Sequence, residues 1–99
     1  MSKASTGKAK YCKIIRQVKV RENDEVYSIE KIFLNHKYEE EIRFSYYKDI
    51  VRLGKLQKEA FIPRPVDLPE DKLIELISQA IKKKVFSKEF VDKLREIIA

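Results

Sequence analysis

Residues 41–48 read Glu-Ile-Arg-Phe-Ser-Tyr-Tyr-Lys, and their alternation decides the fold class. In an extended chain Ile42, Phe44 and Tyr46 share one side, and Glu41, Arg43, Ser45 and Tyr47 share the other. Working outward, Tyr11 to Arg21 alternates in the same way. Cys12, Ile14, Val18 and Val20 form the face expected to be buried, with Arg16 the exception. Tyr11, Lys13, Ile15, Gln17, Lys19 and Arg21 form the other. Glu22-Asn23-Asp24-Glu25 has the chemistry of a hairpin turn. Val26 to Leu34 is rich in Val, Tyr, Ile and Phe and predicts a second strand. Its alternation slips near Glu30-Lys31-Ile32, which a bulge would explain. Ile29, Ile32, Phe33 and His36 fit a helical stripe as well. Asn35-His36-Lys37 is the next turn. Residues 49–57 read as a loop around Gly54, and a short fourth strand over 58–62 runs into Pro63-Arg64-Pro65, which excludes helix and interior strand.

The last third has helical spacing. Asp67-Leu68-Pro69-Glu70 matches a capping box. Leu73, Ile74, Ile77, Ala80 and Ile81 follow as an apolar stripe. Ser87 caps a second helix, Lys88 to Ile98, with Phe90, Val91, Leu94, Ile97 and Ile98 on its stripe. Phe86 and Val91 are placed for a hydrophobic staple. Strands first and helices afterwards predict an α+β domain. The expected architecture is about four antiparallel strands in a curved sheet over residues 11–62, a helical part over 67–98, and a flexible basic arm over 1–10. No internal repeat is visible.

Ninety-nine residues and 11.8 kDa allow one core. No apolar run approaches the ~20 residues that span a bilayer, and Met1 to Lys8 lacks the apolar segment of a secretory signal. One cysteine forms no internal disulfide. These features point to a soluble, cytoplasmic or nucleoid-associated protein. Net charge is +6, and it is unevenly spread. Residues 1–21 hold seven cations and no acid, whereas residues 22–41 hold seven acids against Lys31 and Lys37. Such asymmetry favours a polyanion partner or self-association through opposite charges.

Catalytic chemistry is poorly represented. His36 lies in a turn without a Ser or Cys partner nearby, and Cys12 sits among apolar neighbours as a small core residue. Glu39-Glu40-Glu41 alternate across a strand and do not converge on one cation. There is no phosphate-binding glycine loop and no metal-protease motif. No enzymatic activity, metal or cofactor is expected. The polar face of the expected sheet instead carries Lys13, Lys19, Arg21, Arg43 and Tyr47, flanked by Arg52, Lys55 and Lys58. Cations for phosphates and rings for bases are the ingredients of a single-strand binding groove.

In element order the chain resembles the positive-cofactor type of transcriptional coactivator, with its whirly-type fold for single-stranded DNA. The likeness rests on a basic arm, about four antiparallel strands, an extended proline-containing link and a helix opened by Leu68-Pro69-Glu70, over roughly residues 11–84. It implies Lys13, Lys19, Arg43, Tyr47 and Lys58 on a binding sheet, and Leu73, Ile77 and Ile81 at a dimer seam. The second helix departs from that pattern. The sequence thus predicts a non-enzymatic domain binding single-stranded DNA or RNA, a transcription or DNA-processing accessory and a homodimer. The alternative is a small protein-interaction or assembly module that uses charge asymmetry and amphipathic helices.

Overall fold

Tight turns fold the first two thirds of the chain into an antiparallel meander. The computed structural model describes residues 11–99, so the arm expected over 1–10 lies outside the described residues. Strands β1 (Cys12–Glu22), β2 (Glu25–Leu34), β3 (Glu39–Arg52) and β4 (Lys55–Phe61) form one open sheet in that order. Helices α1 (Glu70–Lys82) and α2 (Lys88–Ile98) follow. The α+β class is as expected.

The turns take left-handed backbone, which Asn23 and Gly54 tolerate and Leu53 does not favour. Asn23, at φ 58°, joins β1 to β2. Leu53 and Gly54, at φ 54° and 75°, make a two-residue turn between β3 and β4. Positive φ at both central positions matches the twist of a hairpin. This corrects the loop expected over 49–57: β3 runs on to Arg52 and β4 starts at Lys55, so only Leu53-Gly54 turns. The two strands extend as a paired arm beyond the rest of the sheet.

A second correction concerns which residues share a face. The irregularity expected in β2 lies in β1, where Ile14 pairs with Ile32 and Arg16 with Lys31, leaving Ile15 extra. A bulge inverts alternation on one side of itself. Arg16, Val18 and Val20 therefore face one way, while Cys12 and Ile14 share a side with Gln17, Lys19 and Arg21. Lys13, opposite Phe33, falls on the helix-covered side and leaves the group expected with Lys19. β2 alternates without interruption from end to end.

The main core lies between one sheet face and the helices. It joins Val18, Val20, Tyr27 and Ile29 to Leu76, Ala80, Val85 and Phe86, with Tyr46, Ile77 and Val91 at its margin. Cys12, Ile32 and Leu34 form a smaller cluster on the opposite face. α1 is capped at Pro69 with no side-chain bond, so Asp67 does not open a capping box. Pro69 disfavours helical backbone at Leu68, and the helix starts only after it. Ser87 does cap α2: its Oγ accepts from the Phe90 N–H at 3.2 Å.

The buried row of α1 is shifted from the expected stripe. Leu76 is 1% exposed, whereas Ile74 is 67% exposed. Replacing Leu76 by Ala should cost about 2–5 kcal/mol, the usual range for an emptied core position. Ile74→Ala should stay within about 0.5 kcal/mol, as surface changes do. Urea denaturation of both variants checks this, and equal losses would mean the helix is rotated.

Candidate functional site on the open sheet face

The sheet face away from the helices gathers most of the polar residues singled out above, and at its centre is a carboxylate. Glu30 lies in the middle of β2 and is fully buried, at 0% exposure. Five side chains from three strands donate to it. Tyr47 Oη and Ser28 Oγ reach Oε2 at 2.6 and 3.1 Å. Gln17 Nε2 reaches the same oxygen at 2.5 Å. Arg43 Nε and Ser45 Oγ reach Oε1 at 2.9 and 3.0 Å. Burial pushes the Glu30 carboxyl upward, but the bonds from Tyr47, Gln17 and Arg43 outweigh it and hold the group below the ordinary 4.5. Burial and the bond to Glu30 push the Tyr47 phenol up to about 12.

A second cluster lies towards β4. Lys19 bonds Glu59 at 2.6 Å, and Arg21 bridges Asp49 at 2.9 Å and Glu59 at 3.2 Å. Asp49 Oδ1 also accepts the Glu59 backbone N–H at 2.9 Å. Arg21 lowers the Asp49 carboxyl, and Lys19 lowers that of Glu59. The Lys19 ammonium stands 5.3 Å from the Tyr47 ring centre, and Phe61 meets that ring edge-on at 5.7 Å.

The structure thus brings together Lys19, Arg21, Arg43 and Tyr47, but not as a bare basic platform. Each of the three cations has a carboxylate partner, and Tyr47 is 9% exposed with its hydroxyl engaged. Lys13 lies on the other side. Arg52, Lys55 and Lys58 sit on the β3–β4 arm and form no salt bridge among the described residues. Arg52 and Lys55 oppose each other across its end. Of the residues assigned to a dimer seam, Ile77 packs against the chain's own core, Leu73 is half-buried and Ile81 is partly exposed. The acids Glu30, Asp49 and Glu59 were missed as determinants. Glu30 had one signal, a charge inside the most apolar strand.

Other chemistry is sparse among the described residues. No group of His, Cys, Asp and Glu could hold a metal ion, and no helix is long and apolar enough to cross a membrane. The thiol of Cys12 is buried. Tyr27 and Tyr46 both donate to Glu25 at 2.9 Å on the helix-covered side. No family model, curated protein or solved structure matches the chain.

A carboxyl held below its ordinary value stabilises the fold where it is ionised, and that contribution is lost as pH falls from about 4.5 through the folded value. Glu30→Gln should therefore lose about 1.5–3 kcal/mol at pH 7, as for hydrogen bonds to a charged group. Its stability should also fall less steeply than the parent's as pH drops below about 4.5. Lys19→Gln, which breaks an exposed pair, should cost under about 1 kcal/mol. Urea titrations at several pH values read all three, and a parallel acid slope for Glu30→Gln would dismiss the network as the acid-sensitive element.

Proposed function

We propose that this chain is a non-enzymatic assembly module that pairs with a second copy of itself through the β3–β4 arm. The observation that carries the reading is Leu53. It is 94% exposed and held at φ 54°, where a branched side chain is unfavourable and Asn or Gly fits better. An apolar residue kept at a strained, solvent-facing turn is costly unless something covers it. Val51 and Leu56, paired across the arm, are exposed beside it.

The occupant is argued from complementarity. Between the sheet and helices an apolar groove of about 290 Å³ is lined by Ile42, Phe44, Ile77, Phe86, Phe90 and Leu94. The adjoining recess, which shares Ile42, Phe86 and Phe90, adds Glu40 and Glu41 together with Lys31, whose ammonium lies 3.9 Å from Glu40. An apolar arm flanked by Arg52 and Lys55 thus has a counterpart in an apolar groove whose border carries two carboxylates against one lysine. Two copies can exchange arms about a two-fold axis and satisfy both sites. This reading retains Ile77 at the seam and the charge asymmetry of the chain, and it gives the sheet cations a structural role.

Light scattering should give twice the chain mass of 11.8 kDa. Leu53→Asn relieves the backbone strain and should leave a folded monomer that melts no lower than the isolated parent subunit. Phe90→Asp should also give monomers. Mixing the two variants should restore part of the dimer, since one intact arm still meets one intact groove. A parent mass of one chain at high protein concentration would sink the proposal.

A second reading keeps the nucleic-acid partner, because Arg52, Lys55 and Lys58 form no salt bridge among the described residues, Lys58 acting on Asp49 only at longer range. With three phosphate contacts the log–log dependence of single-strand affinity on salt should have a slope of about −2, from roughly −0.7 per contact. Anisotropy titrations of an oligonucleotide measure it. Absence of binding at low salt removes this reading and leaves the first intact.

A further inference from the structure

Another charged region lies on the helix-covered side, and it borders the groove assigned to the arm at Phe86. A cleft of about 590 Å³ opens between the sheet and the start of α2, within the size range of small-molecule sites. Arg16, Lys31, Lys84, Lys88 and Arg95 line it against a single carboxylate, Asp92. That carboxylate is already occupied, bonding Lys88 at 3.0 Å and Arg95 at 3.2 Å.

The remaining three cations are poorly compensated. Arg16 and Lys31 are directly opposed across β1 and β2, and like charges at such positions repel and weaken a sheet. The Lys31 side chain is only 19% exposed, and Glu40 approaches it no nearer than 3.9 Å, beyond hydrogen-bond range. Arg16 and Lys84 have no ion pair among the described residues. Lys84 is held by its backbone, at φ 60° with its N–H on the Ile81 carbonyl, next to the buried Val85. Its position is therefore set by the core. Ser87, the cap of α2, lies on the same cleft, so the positive end of the helix dipole adds to the field.

We infer that this cleft binds a small phosphate-bearing anion, and that Arg16, Lys31 and Lys84 are its principal contacts. The ligand carries the acceptor oxygens and double charge that three clustered donors require. Binding relieves the Arg16–Lys31 repulsion, which the fold otherwise bears unpaid. The phosphate comes either as the free ion or as the monoester end of a small molecule.

The test uses the full chain at constant ionic strength set with sodium chloride. Isothermal titration with orthophosphate and with adenosine monophosphate measures affinity, and thermal melts are run with and without each. Both ligands should bind the parent and raise its melting temperature. Tighter binding of the nucleotide assigns the monoester, and equal binding assigns the free ion. Arg16→Gln should weaken binding at least about tenfold, as expected for a lost charged hydrogen bond, yet raise the melting temperature in phosphate-free buffer. Lys84→Gln should weaken binding by a similar factor without that gain, and its exposed position keeps the test readable if Arg16→Gln fails to fold. The proposal is overturned if neither ligand raises the melting temperature beyond matched chloride, or if both variants bind as the parent does.

Discussion

The carboxylate of Glu30 is a charge placed inside a sheet, and the surrounding residues are organised to keep it there. A buried ion is tolerated only when its lone pairs are filled and an opposite charge is close. Gln17, Ser28, Arg43, Ser45 and Tyr47 supply this from β1, β2 and β3. Because the donors come from both neighbours of β2, the network also selects the register. A one-residue slip of either neighbour would turn its donors to the opposite face and leave the charge without them. The uninterrupted pairing of β2 with β3 is consistent with that constraint.

The same network changes the meaning of the basic residues. Counted along the chain, Lys19, Arg21 and Arg43 look like a site for a polyanion. In the folded sheet they balance Glu59, Asp49 and Glu30, which are distant in sequence: Arg43 meets Glu30 on the neighbouring strand, while Lys19 and Arg21 reach from β1 to β4 and β3. Pairing of this kind orients side chains and fixes geometry more than it attracts distant charge. What remains to interact with other molecules lies where compensation is incomplete: apolar side chains on the arm, and cations in excess of acids beside α2.

Much of the architecture was legible because it depends on local periodicity. The division of Ile42, Phe44 and Tyr46 from Arg43, Ser45 and Tyr47 survives unchanged, and α2 with its Ser87 cap lies where expected. The failures have a common cause in long-range context. The extra residue Ile15 is defined only against a partner strand, so Lys13 could not be assigned to a face from β1 alone. Leu76 and Ile74 both suit an amphipathic helix, and only the position of α1 over β1 and β2 selects the former. The Leu53-Gly54 turn escaped because leucine is a poor predictor of left-handed backbone. Glu30, Asp49 and Glu59 acquire their partners across strands, and nothing in their immediate neighbours announces this.

The two register breaks have a bearing on solubility. One lies on β1, and the other on β4, where Lys58 and Glu59 occupy the place opposite Asp49 and Glu59 takes φ 50°. β1 and β4 are the outer strands of an unclosed sheet. An outer strand offers unpaired backbone groups to any passing strand, and bulges and charged side chains are means of spoiling that template. Each edge here is interrupted, while the inner pair is regular. Growth of the sheet by addition of a further strand at either edge is thereby discouraged, and fibril-like stacking has no long straight rim from which to start. Contact between copies is left to side chains, where shape and charge can limit the number of chains that join.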